Sequence, residues 1–159
     1  MSIIFEVILY LAVGTFHWWW TQNLAFFGIS PDFIFAAALC AAIIAGPIKG
    51  AAWGFFLGLY ADMLGSGLLG GYALTYTLLA YAVYILKRHF DMLNPFSQLV
   101  SALFLSLLCM LFYQVLSLSF SAVNPLYLKN FLAVPLFNAI TAPVVFQVFY
   151  WSKRRTGVL

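Results

Sequence analysis

The chain has 159 residues, 65% of them apolar and only 7% charged, with seven Lys and Arg against four Asp and Glu. So little polar surface excludes a water-soluble globule and makes lipid the expected solvent. The bases fall between apolar segments, where they set orientation in a membrane, so nucleic-acid binding is not expected.

A crossing takes roughly 20 mainly apolar residues, and a spanning backbone must satisfy its own hydrogen bonds, so the apolar segments predict helices. The expected architecture is all-α: one transmembrane domain over residues 1–159, a polytopic bundle of six transmembrane helices. The first helix covers about 3 to 20, and because Met1-Ser2-Ile3-Ile4-Phe5-Glu6 lacks a basic signal-peptide region it is expected to be retained. Glu6 can snorkel at its start. His17 lies roughly 16 Å away near its end, too far for the two to act together. Trp18-Trp19-Trp20 suits a headgroup interface, as does Tyr150-Trp151 near the chain's other end.

The second and third helices, about 32 to 45 and 47 to 64, are short for full crossings and are separated by Gly46-Pro47. Along the third, Gly46, Gly50, Gly54 and Gly58 recur every four residues, a stripe on one face that lets another backbone approach closely. Asp62 follows four residues beyond Gly58, on or near the same stripe. Asp32 and Asp62 stand 15 residues before and after Pro47, each roughly 22 Å along its helix from that turn, so the two carboxylates should lie at similar depth. A proton-relay or catalytic reading of such a pair is weaker than a structural one. Asp32 follows Pro31 where it can cap a helix, and Asp62 precedes Gly65-Ser66-Gly67, where it can bind loop backbone.

The fourth helix, about 68 to 86, is the most polar, and its Tyr72, Thr75, Tyr76, Thr77 and Tyr84 suit hydroxyl bonds between helices better than a ligand pocket. The fifth runs from about 97 to 120. The sixth, about 130 to 151, carries Pro135 and Pro143 with Asn138 between them, which should bend it and expose carbonyls to another helix. Cys40 and Cys109 lie in apolar stretches without metal-type spacing and are expected to be packing residues.

With six spans, Lys49, Lys87, Arg88, Lys153, Arg154 and Arg155 fall on one side and Lys129 alone on the other, which predicts both termini in the cytoplasm. Lys87, Arg88, Lys153, Arg154 and Arg155 are the expected topology determinants, in contact with membrane lipids. Serine-histidine, His-Glu-x-x-His and Cys-His arrangements are absent, so no catalytic, cofactor or metal site is expected.

Pro31-Asp32, then Gly46-Pro47-Ile48-Lys49-Gly50, then Gly54-Phe55-Phe56-Leu57-Gly58-Leu59-Tyr60-Ala61-Asp62, then Gly70-Gly71-Tyr72-Ala73-Leu74 and Lys87-Arg88 together resemble, in order and spacing, the rod shape-determining protein MreD family. The resemblance runs from about 31 to 88. It implies a non-catalytic scaffold of the bacterial cell-elongation machinery in the inner membrane, with no cofactor. The implied partners are an MreC-like single-span protein and, indirectly, MreB with the RodA-type and penicillin-binding peptidoglycan synthases. The row Ala37, Ala41, Ala45 and the bent helix around Asn138 are candidates for the partner's helix, and Trp18 to Phe27 for its outer portion. The family is also similar in fold to the S components of energy-coupling-factor vitamin transporters, which gives the alternative reading. Against it, the first helix offers only Ala12 and Gly14 where S components carry an Ala-x-x-x-Ala motif.

Overall fold

The structure, a computed structural model, describes residues 3–24, 29–65, 67–120 and 128–155, and side chains there except those of 3, 4, 128–130 and 153–155. It holds six helices: α1 (Ile3–Asn23), α2 (Phe33–Ala45), α3 (Pro47–Leu64), α4 (Gly71–Leu86), α5 (Pro95–Ser119) and α6 (Leu128–Arg155). The all-helical expectation is met, with no strand among the described residues. By length and composition, two stretches can each cross a membrane, Pro95–Ser119 and Phe131–Ser152, while Phe33–Ala45 and Gly71–Leu86 are apolar but shorter.

Local chemistry sets the helix ends. Asp32 caps α2 by accepting from Phe35 N–H, and Asn94 caps α5 by accepting from Phe96 N–H just before Pro95 takes the first helical position. Between α2 and α3, Gly46 holds φ at +83°, a conformation that penalises any Cβ, and Pro47 starts the next helix with its φ already set. α1 runs past Trp20 to Asn23, beyond its expected end, because the polar residues there turn back on the helix. Thr21 Oγ1 donates to the Trp18 carbonyl and Asn23 Nδ2 to the Trp19 carbonyl.

α2 is the axis of the bundle. It packs against all five other helices, and every residue from Ile34 to Ile43 is buried. Within lipid the hydrophobic effect gives little reason for helices to associate, so close packing must do it, and the alanines of α2 keep its cylinder narrow enough for neighbours on all sides. Around it α1 adjoins α3, α3 adjoins α4, α4 adjoins α5 and α5 adjoins α6. α1 and α6 meet through side chains, with the Tyr10 ring 5.3 Å from that of Phe149. Large apolar side chains cover the outside of the bundle, among them Phe56, Phe104, Ile140 and Val144.

This centre corrects one sequence expectation. Ala37 and Ala41 are buried by the chain's own helices and Ala45 is half-buried, so the alanine row offers no open face to a partner. An alanine stripe signals close helix approach; it does not say whether the approaching helix belongs to the same chain.

Candidate functional site: two carboxylates on the head of α4

Two of the stripe glycines bring α3 onto α4. A Cβ at Gly58 would press into the Tyr72 carbonyl and the backbone of Ala73, and one at Gly54 into the Tyr76 carbonyl, each closer than the 3.0 Å that real contacts respect. Gly50 points elsewhere, into the backbone of Ala42 on α2, so the stripe is shared between two neighbours. Gly46 lies outside the packed stripe, with nothing within 4 Å of its Cβ position; it serves the turn.

One turn beyond Gly58, this approach delivers Asp62 to the first turn of α4. Its Oδ2 accepts from Gly70 N–H at 2.9 Å and Ala73 N–H at 3.1 Å, and its Oδ1 accepts from Tyr72 N–H at 3.0 Å. A helix start has donors without intrahelical partners and the positive end of the dipole, and a buried carboxylate needs both. Gly70, at φ +90°, shapes the turn that gathers those donors. Asp62 is buried, and its carboxylate is committed to backbone.

One turn further along α4 the second carboxylate engages. Tyr76 Oη donates to Asp32 Oδ2 at 2.6 Å, while Asp32 Oδ1 caps α2. The Asp32 N–H donates to Asn138 Oδ1 at 2.7 Å, and Asn138 Nδ2 donates to Ser106 Oγ at 2.8 Å. Four helices, α2, α4, α5 and α6, are thus joined through side chains 32 to 106 residues apart in sequence. In a low-dielectric interior such a chain holds only if its members are satisfied, and leaving one unpaired would be costly. Asn138, expected to face a partner, is 2% exposed and occupied inside the bundle. The two prolines of α6 flank this internal anchor.

Other contacts fix the periphery. Trp53 Nε1 donates to Glu6 Oε2 at 3.2 Å, holding α1 to α3. Tyr72 stacks on Tyr113 with centroids 4.2 Å apart, and Leu68 N–H donates to Tyr113 Oη, which clamps α4 to α5. Thr75 and Thr77 donate to carbonyls of their own helix, at Gly71 and Ala73. Lys87 Nζ donates to the Ile43 carbonyl at 2.7 Å, setting a cation on the C-terminal end of α2. Arg88 lies over the Tyr84 ring and donates to its hydroxyl, a bond that holds the guanidinium further toward its charged form. The side chains of Lys153, Arg154 and Arg155 lie outside the described residues, as do residues 25–27 of the expected outer contact.

A helical bundle with an apolar exterior, whose Asp32 and Asp62 carboxylates serve helix starts and whose Asn138 ties helix to helix, is a membrane protein whose polar interior builds structure. A sequence model of the family described as rod shape-determining protein MreD matches residues 1–151, and the chain belongs to that family. No curated protein and no solved structure matches it. Membership makes it a rod-shape-determining membrane protein, concerned with cell shape.

Proposed function

We propose that the chain is a scaffold of the bacterial elongation machinery that crosses the inner membrane six times, as a single domain with both termini cytoplasmic. It binds an MreC-like single-span protein and through it helps to organise MreB and the peptidoglycan synthases, without turning over a small molecule. Family membership carries this reading. The six-to-one division of Lys and Arg supports the orientation, and the commitment of buried Asp62 and part-buried Asp32 to helix caps supports a structural role. With Ala37, Ala41 and Asn138 turned inward, the partner's helix must meet the outside of the bundle, and Trp18 and Trp19, each about half exposed, keep the outer end of α1 available.

The test is co-purification in detergent with the MreC-like protein of the same organism, combined with depletion of the gene in a rod-shaped host. A stable complex and loss of rod shape are expected. Recovery with an ATPase module or a bound vitamin and no MreC-like protein would overturn the reading in favour of transport. Reporter fusions after Arg155 check the orientation, with cytoplasmic activity expected.

A further inference from the structure

α4 and α5 are fastened at both ends and stand apart between. At one end Tyr72 stacks on Tyr113 and Tyr113 Oη takes the Leu68 N–H. At the other, the short connection from Lys87 to Asn94 is tied down by Gln98 Nε2, which donates to the Met92 carbonyl at 3.0 Å. Between these contacts lies a groove of about 350 Å³, walled by Leu78, Leu79, Ala82, Leu105, Leu108 and Phe112. The Thr75 hydroxyl at its far end already donates to the Gly71 carbonyl, so the groove presents mainly carbon and no free hydroxyl proton there.

We propose that this groove binds one acyl chain of an anionic phospholipid whose headgroup rests at the α4–α5 hairpin. Size is the first argument. A cavity of about 150 Å³ takes a six-carbon ring, so this one has room for roughly a dozen carbons of a single chain. A partner's spanning helix needs roughly 30 Å of groove, whereas this one runs only about 10 Å along α4 from Thr75 to Ala82 and about 15 Å along α5 from Leu105 to Val115. Depth is the second. Ala82 and Leu78 lie about 8 and 14 Å along α4 from Lys87, within the range through which a chain of the adjacent leaflet runs when half the hydrocarbon core is about 15 Å. Charge is the third. The hairpin carries Lys87, Arg88 and His89 against Asp91, while residues 67–71 and 116–120 at the opposite end carry no base, so an anionic headgroup belongs at the hairpin.

The experiment reconstitutes the full chain in vesicles of phosphatidylethanolamine and phosphatidylglycerol. They carry a trace of phosphatidylglycerol with a diazirine midway along one acyl chain, and adducts are mapped by peptide mass spectrometry after illumination. Adducts should concentrate on Leu79, Leu108 and Phe112, although Ile140 and Val144 on α6 are 65% and 64% exposed and Leu79 is 2% exposed. Ala82→Phe, or Leu108→Trp from the more exposed wall, should lower groove adducts about tenfold, the effect of losing two buried methylenes, and leave those on α6 unchanged. Arg88→Gln with His89→Gln should lower groove labelling by this probe and spare labelling by its phosphatidylcholine counterpart. Labelling that simply follows exposure, with α6 ahead of the groove, overturns the proposal. So does groove labelling that neither filling variant reduces, or a polypeptide cross-linked at Leu108 and Phe112 in place of lipid.

Discussion

α3 and α1 are neighbours held by opposite means. α3 lies against α4 backbone to backbone at Gly54 and Gly58 and closes the contact with three N–H bonds to Asp62. α1 reaches the bundle mainly through large side chains: Tyr10 against Trp53 and Phe149, Phe16 and Trp20 edge-on to Phe33, and the Trp53 to Glu6 bond. Even its one buried glycine, Gly14, meets a ring, that of Tyr60, and no backbone. A backbone cannot move aside without breaking its helix, but a side chain can change rotamer. The α3–α4 joint should therefore be intolerant of change, and α1 should be adjustable.

The largest effect is expected from Gly58→Leu. Its side chain would have to displace the first turn of α4, and with it the donors that hold Asp62, so about 3 kcal/mol or more of stability should go. Unfolding in mixed micelles, followed by circular dichroism, measures it. A loss no greater than that of Phe56→Leu, at a site open to lipid, would show that the joint is not close-packed.

Asp62→Asn comes next. The amide keeps one oxygen, which can still accept from Gly70 and Ala73, but replaces the other with a donor that faces the Tyr72 N–H. A cost of about 1 to 3 kcal/mol is expected, with faster hydrogen exchange in the first turn of α4 and little change in α1. Exchange that quickens equally in both helices would mean that the two regions are not separately stabilised.

How much of this was legible follows the same division. Breaks that are written in adjacent residues could be read directly: Pro31-Asp32, Gly46-Pro47 and Asn94-Pro95 each combine a cap or turn residue with a proline, and a helix starts at each. The four-residue glycine spacing placed Gly50, Gly54 and Gly58 on a face but not against which neighbour, since periodicity carries no partner identity. It also swept in Gly46, because spacing cannot separate a glycine needed for contact from one needed for positive φ. The junction of Asp32, Tyr76, Asn138 and Ser106 was not legible as a unit; each residue has an ordinary local role, and nothing in a single sequence pairs positions 106 residues apart. Lys87 read as a charge that sets topology, and its bond to the Ile43 carbonyl depends on α4 ending beside the end of α2, a fact of packing alone.

A smaller effect should come from Gly14→Ala on α1. The added methyl meets the Tyr60 ring, which is only half-buried and has room to rotate, so about 1 kcal/mol is expected, well short of the loss at Gly58. Gly14→Ala with Tyr60→Leu should recover most of it, because the clash is with that ring. No side-chain change on α4 should rescue Gly58→Leu in the same way, since what it strikes there is backbone. Failure of the double variant to recover would mean that α1, too, rests on a rigid contact.

The smallest change in stability belongs to the C-terminal end of α1. Trp18 and Trp19 are each about half exposed, and their removal takes little from the bundle itself, so Trp18→Ala with Trp19→Ala should alter stability by no more than about 0.5 kcal/mol for each substitution. The proposed scaffold gives the same pair a second readout. If the adjustable helix is where an MreC-like helix arrives, the double variant should stay folded and abundant yet retain markedly less of that partner on co-purification. Phe56→Ala on α3, which removes a comparably exposed ring from the rigid side, should retain it in full. Equal retention by both variants would separate the two ideas: α1 would still be the loosely held helix, but the partner would have to be sought on another face of the bundle.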